Sequence, residues 1–218
     1  DQSVKSAKAS TGYGMTETCG IITSISGAYF LDKPDSCGPA MPNFEARCVN
    51  ADGETVPQGE VGELWVKGAP VIKGYLNREE ATAESITNGW LHTGDVARID
   101  EHGFIFIVDR VKDMVLRGGE NIFCAEVETV IFAMDDVAEC SVFGVEDDRL
   151  GEEVGVAVML KPGTTTNADS IREYCLSHMA KHKVPRYIWI QTEPLPRNAS
   201  GKFLKRELKE ILSVEDAA

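Results

Sequence analysis

The sequence predicts an α+β chain, β-rich over residues 1–108 and α/β over residues 109–218. Three observations carry that prediction. Before Asp109 the apolar runs are short and punctuated by Gly and Pro. After it, segments with helical spacing alternate with strand-like runs. The length, 218 residues, allows two domains, each with a core of its own.

Taken in order, residues 10–18 read most simply as a glycine-rich turn. Phe44 to Asn50 and Val61 to Lys67 read as strands, with turn residues at Asp52-Gly53 and Gln58-Gly59, so a meander or small barrel is expected. Asn77 is placed to cap a short helix running to about Ile86, with Glu79 and Glu80 near its positive end. Val96 to Ile99 and Phe104 to Val108 flank Asp100-Glu101-His102-Gly103, a polar loop suited to a hairpin. In the second part, Ala125 to Met134 sets Val127, Val130, Ile131 and Met134 on one helical face. Val137 to Val145 and Val154 to Leu160 follow as strands. A helix over 167–181, a strand from Tyr187 to Ile190 and a helix over 203–212 complete the unit.

Composition narrows the function. A formal net charge of −13 argues against broad adhesion to nucleic acid, because a phosphate backbone rewards clustered Lys and Arg. No apolar run approaches the roughly 18 residues that span a bilayer, and residues 1–10 lack the basic-then-apolar pattern of a signal peptide, so a cytoplasmic protein is expected. None of the six cysteines stands in a zinc-knuckle or redox spacing, and reduced, mostly packed thiols are expected. His178 and His182 are four apart, but Lys181 and Lys183 beside them favour a solvated surface over a metal site.

Four segments carry chemistry. Ser10-Thr11-Gly12-Tyr13-Gly14-Met15-Thr16-Glu17-Thr18 combines small residues, an aromatic face, hydroxyls and a carboxylate suited to Mg²⁺. Gly89-Trp90-Leu91-His92-Thr93-Gly94-Asp95 ends in an acid that could hold a ribose diol or stabilise a turn. Asp109-Arg110-Val111-Lys112-Asp113, followed by Arg117-Gly118-Gly119-Glu120-Asn121, is a third signal whose ordinary reading is solvated charge around a loop. Leu195-Pro196-Arg197-Asn198-Ala199-Ser200-Gly201-Lys202 brings a lysine to a glycine turn, where its point charge suits a phosphate. Each segment alone also has an ordinary structural explanation.

Their conjunction, in this order, resembles the adenylate-forming superfamily, and most of all the C-terminal part of an AMP-forming acyl-CoA synthetase. Gly38-Pro39-Ala40-Met41-Pro42, Gly62-Glu63-Leu64-Trp65-Val66, Gly74-Tyr75 and Ala125-Glu126-Val127-Glu128 extend the likeness over nearly the whole chain. The resemblance implies that residues 1–108 are the trailing portion of a large N-terminal domain. Residues 109–218 would then be a mobile C-terminal domain. It implies an enzyme that activates a carboxylic acid, expected to be a fatty acid, with ATP to an acyl-adenylate and transfers it to coenzyme A.

By the same resemblance, Gly12, Tyr13, Gly14, Thr16, Asp95, Ile107 and Arg110 form the nucleotide-binding set. Tyr13 would lie against adenine, Thr16 at the α-phosphate, and Asp95 and Arg110 at the ribose hydroxyls. Glu17 would help hold Mg²⁺, and Lys202 would bridge ATP and the acyl carboxylate. Lys112 matches the hinge, and Gly118, Gly119 and Glu120 fall where the CoA arm passes. The partners implied are the acid, ATP and CoA, without nucleic acid, and a homodimer is among the expectations. The family's phosphate loop and most of its acyl pocket are absent from this sequence, so the chain by itself is expected to be inactive. Cys124 stands where many relatives carry proline and is expected to be a packed thiol. Two other readings stay open: an adenylation domain that loads a carrier protein, and a non-catalytic nucleotide-binding or interaction module.

Overall fold

The computed structural model describes residues 9–199 and 201–218. The chain divides into two compact units, Asp1–Val111 and Lys112–Ala218.

In the first unit, β1 (Ser10–Met15) pairs antiparallel with β2 (Gly20–Ser26) across a 3-10 turn at Thr16–Thr18. The segment expected to be a turn is therefore a strand. Gly12 and Gly14 make the pairing tight, since a Cβ at either would come within 2.6 and 2.2 Å of β2 carbonyl oxygens. A short helix, α1 (Ala28–Asp32), leads to β3 (Gly38–Pro39). The larger sheet runs β3, β8 (Phe104–Arg110), β7 (Trp90–Ile99), β5 (Val61–Gly68), β4 (Phe44–Val49), with β6 (Ile86–Thr87) also on β7. All its pairings are antiparallel. Ile22, Phe44, Leu64, Val66, Leu91 and Ile105 fill its core.

Two sequence expectations shift here. The helix α2 (Glu79–Ser85) is not capped by Asn77, which adopts a left-handed φ of 55° and hands the N-cap position to Arg78. Asn tolerates that conformation better than most residues, so it serves the turn instead. The strand expected from Val96 begins six residues earlier, at Trp90, because β5 and β6 both offer edges to pair with. The loop between β7 and β8 forms as expected. Asp100 Oδ1 accepts the backbone N–H groups of His102 and Phe104, and Lys33 pairs with its other oxygen.

The second unit is a sheet with helices on both faces. The hairpin β9 (Val115–Arg117) and β10 (Glu120–Ile122) precedes α3 (Cys124–Phe132). Then come β11 (Val137–Asp147), β12 (Gly151–Leu160), α4 (Ala168–His178), β13 (Tyr187–Gln191) and α5 (Lys205–Ile211). β12 pairs antiparallel with β11 and parallel with β13. Its middle is buried on both faces, as a central strand's should be. Val154, Val156 and Val158 pack with Val127 and Ile131 of α3 and Ile171 and Cys175 of α4. Ala157 points the other way, with Phe143 and Trp189, against Leu208 of α5. Alternation along one strand thus serves two cores. Asn167 caps α4 by accepting the N–H of Ser170.

The cysteines follow their burial. None forms a disulfide, and Cys48, Cys124, Cys140 and Cys175 are buried, whereas Cys19 is exposed. Burial pushes the thiols of Cys48 and Cys175 up to about 11, which leaves them protonated and unreactive. The Cys124 thiol is packed within its own unit and donates to the carbonyl of Asp113.

Candidate functional site

Asp95 is the hub of the first unit's polar cluster. Its side chain is buried, yet two groups distant in sequence converge on it. The Tyr13 hydroxyl donates to Oδ2 at 2.5 Å, and Arg110 Nε lies 3.1 Å from Oδ1. Strand register brings the second partner, because Asp95 on β7 stands opposite Arg110 at the end of β8. Tyr13 is set from the other side. Its backbone N–H donates to Oγ1 of buried Thr23 on β2, whose hydroxyl donates in turn to the carbonyl of Cys37. Burial, then the hydrogen bond and charge of Asp95, push the Tyr13 phenol far above its ordinary value, so it stays a donor.

A carboxylate has about four acceptor positions. With one Tyr13 hydroxyl and one Arg110 guanidinium engaged, Asp95 can still accept a vicinal diol, and Arg110, about half exposed, can turn its remaining N–H groups outward. Ile107 sits three residues before Arg110 on β8, and its side chain is partly exposed.

Glu17 belongs to the 3-10 turn that follows β1. Tyr75 donates to its Oε1 at 2.9 Å, and the Glu17 carbonyl accepts the N–H of Ile72. The turn is braced from inside by Thr18, whose hydroxyl lies 2.9 Å from both the Met15 and Gly20 carbonyl oxygens and can donate to either, while Thr16 is exposed. Among the described residues no cluster of three His, Cys, Asp or Glu side chains could hold a metal. One carboxylate is nevertheless enough for Mg²⁺ that keeps waters and draws its other ligands from phosphate. The donor set fits that ion and does not fit zinc. His178 ends α4 and His182 lies in the following 3-10 turn, so the pair shares no helix.

In the second unit, Lys112 is exposed and is its first residue. Gly118 and Gly119 form the two-residue turn of the β9–β10 hairpin, with φ of 58° and 89°. Two successive positive φ values are what such a tight hairpin needs, and glycine adopts them without strain. Glu120 follows on β10, paired with Arg117. A segment open to reading as solvated charge is thus an ordered hairpin. Its stalk is tied down by Arg117, which makes two contacts with buried Glu153 at 2.6 and 3.0 Å. Lys202 sits on an exposed turn whose backbone is pinned. Asn198 Oδ1 accepts the Lys202 N–H, and the Asn198 N–H donates to the Lys202 carbonyl. The Lys202 ammonium makes no ion pair among the described residues.

The structure therefore gathers Tyr13, Asp95 and Arg110 into one cluster and places Glu17 beside Tyr75. Sequence reasoning gave no role to Tyr75, Thr23, Glu63 or Glu153. Tyr75 and Glu63 lie inside segments that carry the resemblance, which was the available signal. Thr23 and Glu153 have no motif around them.

Comparison with known proteins identifies the family and several relatives. Family models for the AMP-binding enzyme and for the AMP-binding enzyme C-terminal domain match residues 2–76 and 126–202. A 2-succinylbenzoate–CoA ligase of Bacillus cereus is 44% identical over 200 residues, covering 92% of this chain and 41% of that protein. The o-succinylbenzoate CoA synthetase (MenE) of Bacillus subtilis, solved with the acyl-adenylate intermediate OSB-AMP, is 39% identical with a TM-score of 0.83 over 92% of this chain and 40% of that one. The same enzyme has been solved with ATP and magnesium ion, at 38% identity and a TM-score of 0.82 over 95% of this chain and 42% of that one. ATP-bound MatB from Rhodopseudomonas palustris is 35% identical, with a TM-score of 0.85 over 93% of this chain and 40% of that one. The chain spans about two-fifths of the length of these relatives.

Proposed function

Because the chain belongs to the adenylate-forming, AMP-binding enzyme family, we propose that the whole protein is an AMP-forming acid–thiol ligase. It converts a carboxylic acid, ATP and coenzyme A into an acyl-CoA, AMP and pyrophosphate. Residues 1–108 belong to the nucleotide-holding domain and 109–218 to a C-terminal domain that moves about Lys112. The observation that carries the reading is Asp95, a buried carboxylate aimed by Tyr13 and Arg110 with acceptor capacity left for a ribose diol.

In the first half-reaction an oxygen of the substrate carboxylate attacks the α-phosphorus and pyrophosphate leaves. Tyr13 and the backbone at Gly12 and Gly14 border the adenine, Asp95 and Arg110 hold the ribose, and Thr16 meets the α-phosphate. Ile107 adds an apolar contact. Glu17 holds Mg²⁺, which when bound offsets charge on the phosphates. Lys202 supplies a cation where negative charge grows, the kind of electrostatic term that lowers such barriers most. In the second half-reaction the CoA thiolate attacks the acyl carbonyl and AMP leaves. Gly118 and Gly119 offer backbone without side chains to the pantetheine arm, with Glu120 beside them. Withdrawal of Lys202 before that step is a domain-scale switch.

The acid is 2-succinylbenzoate or a similar aryl dicarboxylate, by analogy with the ligases above. The expected fatty acid has no counterpart among those relatives. Mass spectrometry of the full-length protein with ATP, CoA and a panel of 2-succinylbenzoate, malonate and fatty acids tests the reading. Formation of 2-succinylbenzoyl-CoA is the expected result. Acyl-adenylate without any thioester would overturn CoA as acceptor and point to a carrier-protein thiol, and a fatty acyl-CoA alone would overturn the aryl acid.

A further inference from the structure

Asp95 reaches its partners because β7 bulges just before it. Pairing of β5 with β7 runs Glu63↔Val96 and then Trp65↔His92, so Leu64 alone faces Thr93, Gly94 and Asp95. Three residues opposite one, two more than regular pairing allows, would leave backbone groups without ladder partners. Side chains supply them. The Thr93 hydroxyl donates to the Leu64 carbonyl at 2.7 Å and accepts the Asp95 N–H at 3.1 Å. The Gly94 N–H donates to Glu63 Oε1 at 3.1 Å, and the Gly94 carbonyl accepts the N–H of Val111.

Glu63 is itself held in place. Its Oε2 accepts the indole N–H of Trp65 at 2.9 Å. Trp65 is buried and stacks on the His92 ring at 3.8 Å between centroids and 7° between planes, with the Arg47 guanidinium over it and over Trp90. The carboxylate therefore joins a rigid aromatic stack to Gly94, the residue before Asp95, through the Thr93–Gly94 peptide.

We propose that Glu63 is a positioning residue for nucleotide binding, which splints the β7 bulge through Gly94 and so aims Asp95 at the ribose. It touches no substrate and acts only through Asp95. The inference rests on reading Asp95 as the ribose-holding group. The carboxylate is needed because it accepts two N–H groups at once, one on each oxygen. A glutamine at this position has one acceptor oxygen and would set an NH₂ against either the Gly94 amide or the indole.

The test compares binding of ATP and of 2′,3′-dideoxy-ATP, which lacks both ribose hydroxyls, to the full-length protein. Wild type and the Glu63→Ala and Glu63→Gln variants are measured. The loss of a hydrogen bond to a charged group predicts ATP binding weakened about tenfold in Glu63→Ala and less in Glu63→Gln. Dideoxy-ATP should bind all three equally. Equal weakening of both nucleotides would overturn the inference, since a merely structural defect does not read the hydroxyls. So would unchanged ATP binding in both variants. If Glu63→Ala does not fold, the near-isosteric Glu63→Gln decides by the same comparison. A wild-type protein that binds the two nucleotides alike would instead remove the ribose reading of Asp95, a failure visible before any variant is examined.

Discussion

Three candidate residues of the first unit, Tyr13, Asp95 and Arg110, hold one another, and those of the second do not. Asp95, 7% exposed, is reached by Tyr13 and Arg110, and its strand is braced by Thr93 and Glu63. Lys112 and Lys202 have exposed side chains, and Gly118 and Gly119 have none. What is ordered in the second unit is the backbone that carries them, through the Asn198–Lys202 turn and the Arg117–Glu153 pair. Under the proposed reaction, the difference follows from what each group would have to do. A group that binds the same ligand through both half-reactions gains from preorganisation, which removes the cost of ordering it at each encounter. A lysine that serves one half-reaction gains from a fixed anchor and a free head, since its long stem then covers the remaining distance.

The largest effect should come from Lys202→Ala. Loss of one electrostatic stabiliser predicts a fall of about 10² to 10³-fold in acyl-adenylate formation, read as pyrophosphate release. Thioester formation from supplied acyl-adenylate should change little. If both half-reactions fell together, Lys202 would be part of a fixed site and the contrast between the units would break.

Glu153→Gln probes the anchor and not the free head. It leaves Arg117 and Arg186 without their buried counter-charge, since both contact this carboxylate. Breaking a buried pair from one side costs about 3 to 5 kcal/mol, and partial exposure of both arginines lowers the expected loss to about 2 kcal/mol in urea unfolding. An unchanged midpoint would mean that backbone pairing alone holds the hairpin.

The smallest effect concerns pH and returns to the first unit. Burial, partly opposed by the charge of Glu63, holds the His92 imidazole below its ordinary value of 6.5. The unfolded chain therefore takes up a proton that the folded chain resists. Stability from this group is complete above about 6.5 and declines as pH falls through the lower folded value. Urea unfolding at about pH 7.5 and about pH 5.5 should show a smaller pH dependence in His92→Gln than in wild type. An equal dependence would show that the Trp65–His92 stack tolerates charge.

Much of the architecture was readable from local pattern. Val127, Val130, Ile131 and Met134 repeat at helical spacing, and α3 lies there. Asp100 and Gly103 bracket a loop whose hydrogen bonds need only neighbouring residues, and it forms as expected. Misreadings occurred where long-range pairing outweighs local preference. Ser10–Met15 has the glycine content of a turn, but β2 returns beside it and makes it a strand. Asn77 has a good cap side chain, yet the chain needs a positive φ there. The β9–β10 hairpin hid in a charged stretch because its strands are only three residues each.

The site divides in the same way. Which residue types are present, and their order, is a property of the sequence: Tyr13, Glu17, Asp95, Arg110 and Lys202 stand in segments whose likeness to one family could be read without coordinates. Their partners were decided by tertiary structure. Tyr13 meets Asp95 across 82 positions, Glu63 meets Gly94 across 31, and Arg117 meets Glu153 across 36. Such contacts depend on strand register, and the bulge that sets the register before Asp95 comes from hydrogen bonds between strands. No periodicity within either strand encodes it.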